Sequence, residues 1–165
     1  MKREEVIRKI NEVTGLELEL SEKGSVNFIY NERNVLMHFD ADLGTCIIYV
    51  ELTYLSPGAV SIVLPRLLEA NFLFSQTNGG ALSYLSATNM VSMNFMFPFS
   101  EATDSADFIS TLNLALSVAD EWTKKVNTMN DEAMQYRSKC LHNLINGVEE
   151  NQSQNFVGTY NFMHL

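Results

Sequence analysis

The stretch Leu67-Leu68-Glu69-Ala70-Asn71-Phe72, followed by Thr77-Asn78-Gly79-Gly80-Ala81-Leu82-Ser83, decides the fold. Its first half reads as the end of a helix, and Asn78-Gly79-Gly80 is a turn. Ala81 to Ser86 and Met90 to Phe97 then read as a hairpin, with Val91, Met93, Phe95 and Phe97 alternating with Ser92 and Asn94. Pro98 stops the sheet. Thr103-Asp104-Ser105 caps a long helix with Asp104 and Asp107 in its first turn, favourable to the helix dipole. Its buried stripe is Phe108, Leu112, Ala115, Leu116, Ala119 and Trp122.

Working outward, residues 3–14 have a helical apolar face of Val6, Ile7, Ile10 and Val13, stopped by Gly15. Leu16, Leu18 and Leu20 alternate with Glu17 and Glu19, the period of a further strand. Val26 to Tyr30 and Val35 to Phe39 form a hairpin across Asn31-Glu32-Arg33-Asn34. Thr45 to Leu55 is the strongest strand. Cys46, Ile48, Val50, Leu52 and Tyr54 face one way; Thr45, Ile47, Tyr49, Glu51 and Thr53 face the other, which is only partly wet. Ser56-Pro57 starts a helix running toward Phe74. Pro65 inside it removes a hydrogen bond at a cost of roughly 3 kcal/mol, predicting a kink or two short helices.

The order α-β-β-β-α-β-β-α predicts an α+β fold, an antiparallel β-sheet flanked by helices, over residues 1–126. Residues 127–165 form a C-terminal extension rich in Asn and Gln. A helix is expected over 131–146, with Met134, Arg137, Cys140, Leu141, Leu144 and Ile145 on one side and Gly147 ending it. A flexible tail is expected from Glu149, followed by Phe156, Tyr160, Phe162 and Met163; the extension either packs as an extra helix or lays the aromatic Phe156, Tyr160 and Phe162 over an apolar groove.

Composition narrows the chemistry. Eleven basic and 20 acidic side chains give a formal charge of −9 in 165 residues, so nucleic acid is not an expected partner. Acidity favours basic or neutral protein partners. Met1 to Glu5 is charged without a following apolar run, and no stretch reaches ~18 continuous apolar residues. A cytoplasmic, membrane-free chain is expected. Cys46 reads as a buried small hydrophobe and pairs in no CxxC motif with Cys140. His38, His142 and His164 are scattered, so no metal site is expected. Asp40-Ala41-Asp42 lacks the rest of a calcium loop and reads as a turn. Asn78-Gly79-Gly80 lacks the lysine of a phosphate loop, and no GxSxG is present. No catalytic residue and no cofactor is expected. Met37, Met90, Met93 and Met96 lie in or beside strands, either filling the core or adapting to several partners.

The Leu-Leu-x-Ala-Asn helix end, the Thr-x-Gly-Gly turn, the Phe97-Pro98-Phe99 exit and the helix ending Ala119-Asp120-Glu121-Trp122 resemble the Tir-chaperone (CesT-like) family. These are the effector chaperones of bacterial type III secretion. The resemblance spans about residues 3–126. It implies a homodimeric bacterial cytoplasmic protein, without ATPase activity. Such a protein holds the N-terminal region of secreted effectors extended and secretion-competent and presents it to the export machinery, with the export ATPase a further partner. It places dimerisation on the second helix, at Val60, Val63, Leu67 and Phe74. Effector binding is placed on the first helix and early strands, at Ile7, Ile10, Val26, Phe28, Val35 and Met37. The competing expectation is a non-secretion regulatory or protein-binding domain of similar fold, such as a YbjN-like protein.

Overall fold

The computed structural model describes residues 2–100 and 102–160, with side chains through Ile145. Helix α1 is Arg3–Thr14, strand β1 Ser25–Tyr30, β2 Arg33–Asp40, β3 Thr45–Tyr54, helix α2 Val60–Ala70, β4 Ala81–Leu85, β5 Met90–Pro98 and helix α3 Ser105–Tyr160. The five strands make one antiparallel sheet in the order β1-β2-β3-β5-β4. This is the expected α+β order.

One face of the sheet is the core. Val26, Val35, Met37, Phe39, Cys46, Ile48, Val50, Val91, Met93 and Phe95 are buried there, because side chains two apart share a face. α3 lies against it through Phe108, Leu112, Ala115, Leu116, Ala119, Trp122 and Val126, all buried. Val6, Ile7 and Ile10 of α1 complete the layer. Trp122 Nε1 donates to the carbonyl of Gln76 at 3.2 Å, so the largest core side chain also satisfies its polar atom.

Several boundaries differ from expectation for local reasons. The first hairpin turn holds two residues, not four: Tyr30 pairs with Arg33, and Asn31 and Glu32 both take positive φ, as a tight hairpin turn of right-handed strands requires. The Leu16–Leu20 segment joins no strand. Asn11 holds it instead, its Oδ1 accepting from Leu18 N (2.9 Å) and its Nδ2 donating to Leu18 O (3.1 Å). Tyr54 leaves the core face because a register shift between Glu51 and Thr53 makes Leu52 an extra residue.

Ser56 and Pro57 form a turn before α2 rather than its start, the Ser56 carbonyl accepting from Ala59 N. Pro65 does not divide α2, which runs as one helix to Ala70. The helical path changes hand instead at Leu73, whose φ is 58°. The separate helix expected over 131–146 is the continuation of α3, which runs unbroken through 127–130 and Gly147 to Tyr160. The polar run that suggested a flexible tail carries no proline to stop it.

Asn71 repeats the device of Asn11. Its Oδ1 accepts from Leu82 N (2.8 Å) and its Nδ2 donates to Leu82 O (2.9 Å), fastening the end of α2 to edge strand β4. The side chain thereby supplies the pairing a sixth strand would give. Asn71→Ala leaves two part-buried backbone groups without partners and is expected to cost about 1–3 kcal/mol. Urea unfolding followed by circular dichroism would read this as a lower midpoint with an unchanged slope.

Candidate protein-docking surfaces

The helices cover only one face of the sheet. On the other, register aligns Leu36, Tyr49 and Asn94 in one row and His38, Ile47 and Met96 in the next. Ile29, Leu36, Tyr49 and Met96 are exposed, Met96 by 63%. Polar pairs frame them. Asn34 Nδ2 donates to Glu51 at 2.7 Å, and Ser25 Oγ shares a hydrogen bond with His38 Nδ1 at 2.8 Å. The Tyr54 hydroxyl donates to Glu51, and the loss of that bond on ionisation raises the tyrosine pKa. Strands β1 and β4 are the sheet edges among the described residues, and on β4 the Asn71 side chain already takes Leu82 N and O. An edge presents a row of unpaired backbone groups to any extended chain.

A second apolar surface follows the end of α2. Leu68, Phe72 and Leu73 are 70%, 73% and 77% exposed, and Phe74 is about half exposed. Leu73 and Phe74 both hold positive φ, 58° and 54°. For bulky L-residues that conformation costs roughly 1–2 kcal/mol each. It aims apolar side chains into solvent, so strain and exposure coincide.

The residues expected to bind effector are mostly interior. Ile7, Ile10, Val26, Val35 and Met37 are buried in the core and Phe28 is half-buried. Apolar periodicity marks the face turned inward, and that face here meets α3. Of the expected dimer residues, Val63 and Leu67 are also core, Val60 is half-buried and Phe74 is exposed. The α2 face turned outward is the Leu68 side. Ile47 and Tyr49 had already made the second face of β3 unusually apolar, the one signal in the sequence that pointed outward. Of the four methionines, Met37 and Met93 fill the core and Met96 is exposed. The aromatic tail residues Phe156, Tyr160, Phe162 and Met163 lie outside the residues whose side chains are described.

Two of the clefts among the described residues lie apart from these surfaces. One, of about 490 Å³, lies between the start of α1 and the sheet end, lined by Lys2, Arg3, Phe39, Asp40 and Phe99. Its floor is aromatic, with the Phe39 and Phe99 rings edge to face at 4.9 Å. The other, of about 470 Å³, surrounds Arg33 and Asp120. There Arg33 pairs with Asp120 and donates to the Ala119 carbonyl, tying the first hairpin to α3. Neither joins a nucleophile to a base. No group of three His, Cys, Asp or Glu side chains suited to a metal occurs among the described residues. The Asp40 carboxylate instead accepts from Asp42 N (3.0 Å) and Leu43 N (2.9 Å), closing its own turn. No helix among the described residues is long and apolar enough to cross a membrane.

The model of the Tir chaperone protein (CesT) family matches residues 5–123. The chain belongs to this family, the chaperones of type III secretion. No curated protein sequence matches it. Similar solved structures share the fold at low identity. The ExsC–ExsE complex gives a TM-score of 0.61 at 15% identity, covering 74% of this chain and 90% of that one. The HopA1–SchA chaperone–effector complex gives 0.56 at 14%, covering 74% and 90%. The heterodimeric ExoU–SpcU complex from the type III secretion system of Pseudomonas aeruginosa gives 0.55 at 18%, covering 76% and 98%.

The two cysteines differ sharply in setting. Cys46 is fully buried in β3, and burial pushes its thiol up to about 12. Cys140 lies half-exposed on α3. Because the thiolate is the reactive form, a thiol reagent at pH 8 is expected to modify one cysteine of the native protein. Cys46 should react far more slowly, because it is buried and little of it is thiolate, until denaturant unfolds the chain. Two equally fast thiols would contradict the core described here.

Proposed function

We propose that this chain is a homodimeric cytoplasmic chaperone that holds the N-terminal region of one or more secreted effectors extended, soluble and competent for export. Family membership supports the class. The single structural observation that carries the reading is the sheet: one face is core, and the other keeps Ile29, Leu36, Tyr49 and Met96 exposed between two edge strands. An extended segment can add backbone hydrogen bonds to the edge strand β1, and a bound chain can lay apolar side chains on the exposed rows. A long contact area offsets the entropy lost when such a segment is ordered. Holding a chain extended requires binding energy and no covalent chemistry, so the chaperone itself needs neither cofactor nor ATP hydrolysis. Delivery to the export ATPase would follow from the same role.

The α2 end supplies the dimer surface. Leu68, Phe72, Leu73 and Phe74 take the place of the buried Val63 and Leu67 as the residues that meet a second copy. The strain at Leu73 and Phe74 is then retained because it presents apolar area to that copy.

Native mass spectrometry of the chain isolated from its own host, under secretion-inducing conditions, tests this directly. A dimer carrying one copy of a larger protein, held through its N-terminal region, is the expected species; a chain without cargo would count against the role. Leu36→Glu with Tyr49→Glu should lower affinity for an N-terminal fragment of that captured protein at least ~10-fold, about 1.4 kcal/mol. The same pair should keep a single unfolding transition at a cost of about 1 kcal/mol, because it sets two carboxylates directly opposite each other in the register. Titration calorimetry and thermal unfolding on one preparation give both numbers.

A further inference from the structure

Ala133 is the last buried residue of α3 among those described. The next turn still touches the body. A Cβ on Gly58 would lie 3.2 Å from Met134 Sδ and 3.3 Å from Arg137 Cδ, and Arg137 Nη1 donates to the Gly58 carbonyl at 3.2 Å. Beyond Arg137 the helix leaves the body, and every residue from Leu141 to Ile145 is exposed. At about 100° per residue, Met134, Arg137, Leu141, Leu144 and Ile145 share one stripe roughly 100° wide. The stripe that begins on Gly58 therefore continues past the edge of the body, with Leu141, Leu144 and Ile145 each more than half exposed. A projecting helix containing Asn143, Asn146 and Gly147 has little stability of its own in water.

We propose that this α3 stripe is a second part of the chain's self-association surface, and that its occupant is a second copy of this chain. The inference rests on the homodimer reading above. Area favours it. With about 150–250 Å² for a large apolar side chain, the exposed parts of Leu68, Phe72, Leu73 and Phe74 offer roughly 500 Å². A stable interface takes about 800 Å² from each partner. The α3 stripe adds roughly 400 Å² on the same scale, bringing the total into range. The helices that carry the two surfaces are tied to each other. Arg66 of α2 pairs with Glu132 of α3 at 2.9 Å, one turn before the stripe leaves Gly58. Charge does not oppose it: the stripe holds Arg137 and no acidic side chain, in a chain of formal charge −9. Another acidic copy approaching this stripe meets no like charge on it.

Sedimentation velocity on the full chain tests the proposal, comparing wild type with L141K/L144K and with L68K/L73K. Wild type is expected to be a dimer, and each double variant should raise its dissociation constant at least tenfold. Thermal unfolding should keep a single transition in both, because all four residues are exposed; the milder L144S serves if L141K/L144K does not fold. A monomeric wild type overturns the homodimer reading and this inference together. If L68K/L73K dissociates while L141K/L144K stays as tight as wild type, the homodimer reading stands and this inference falls. It also falls if L141K/L144K keeps the dimer but loses the captured protein in native mass spectrometry, since the stripe would then belong to cargo.

Discussion

Everything in this molecule depends on one long helix lying across one face of a sheet. The α3 residues Phe108, Leu112, Leu116, Ala119 and Trp122 remove the inner faces of β2, β3 and β5 from water. Burial of large apolar side chains is the main favourable term in folding, about 1.5–3 kcal/mol each. Because α1 and α3 share that face, the opposite face has no helix to cover it. The exposed rows around Leu36 and Tyr49 are a direct consequence of putting all the helices on one side.

Around that core, a few polar side chains do the work of regular pairing. Asn11 and Asn71 each close a two-bond clasp with a backbone position several residues on, at the ends of α1 and α2. Arg33 fastens the tip of the first hairpin to α3 through Asp120 and the Ala119 carbonyl. These contacts fix elements whose apolar faces alone would let them slide.

The fold was largely legible because its signals are local. Alternation in Met90–Phe97 and Thr45–Leu52, the cap at Asp104 and the Gly15 stop each act within a few residues, and each appears where expected. The misses have a common cause. Pro65 looked like a break, yet packing of Val63 and Leu67 holds α2 as one helix, tertiary context overriding propensity. The unbroken α3 likewise passes Gly147, a residue that reads as a stop when only its neighbours are considered. The two-residue turn at Asn31-Glu32 was hidden because neither residue is glycine, although both adopt positive φ.

The candidate surfaces were less legible than the core. A buried Val35 and an exposed Leu36 are adjacent apolar residues in one strand, and nothing in their chemistry says which faces out. By itself the sequence determined the element order, the α+β architecture, the α3 stripe and the family, because hydrophobic period and turn chemistry operate over short spans. Only the tertiary structure decided which apolar residues stay accessible. That depends on which sheet face α3 covers and where it leaves the body, and both are set by contacts between residues far apart in the chain.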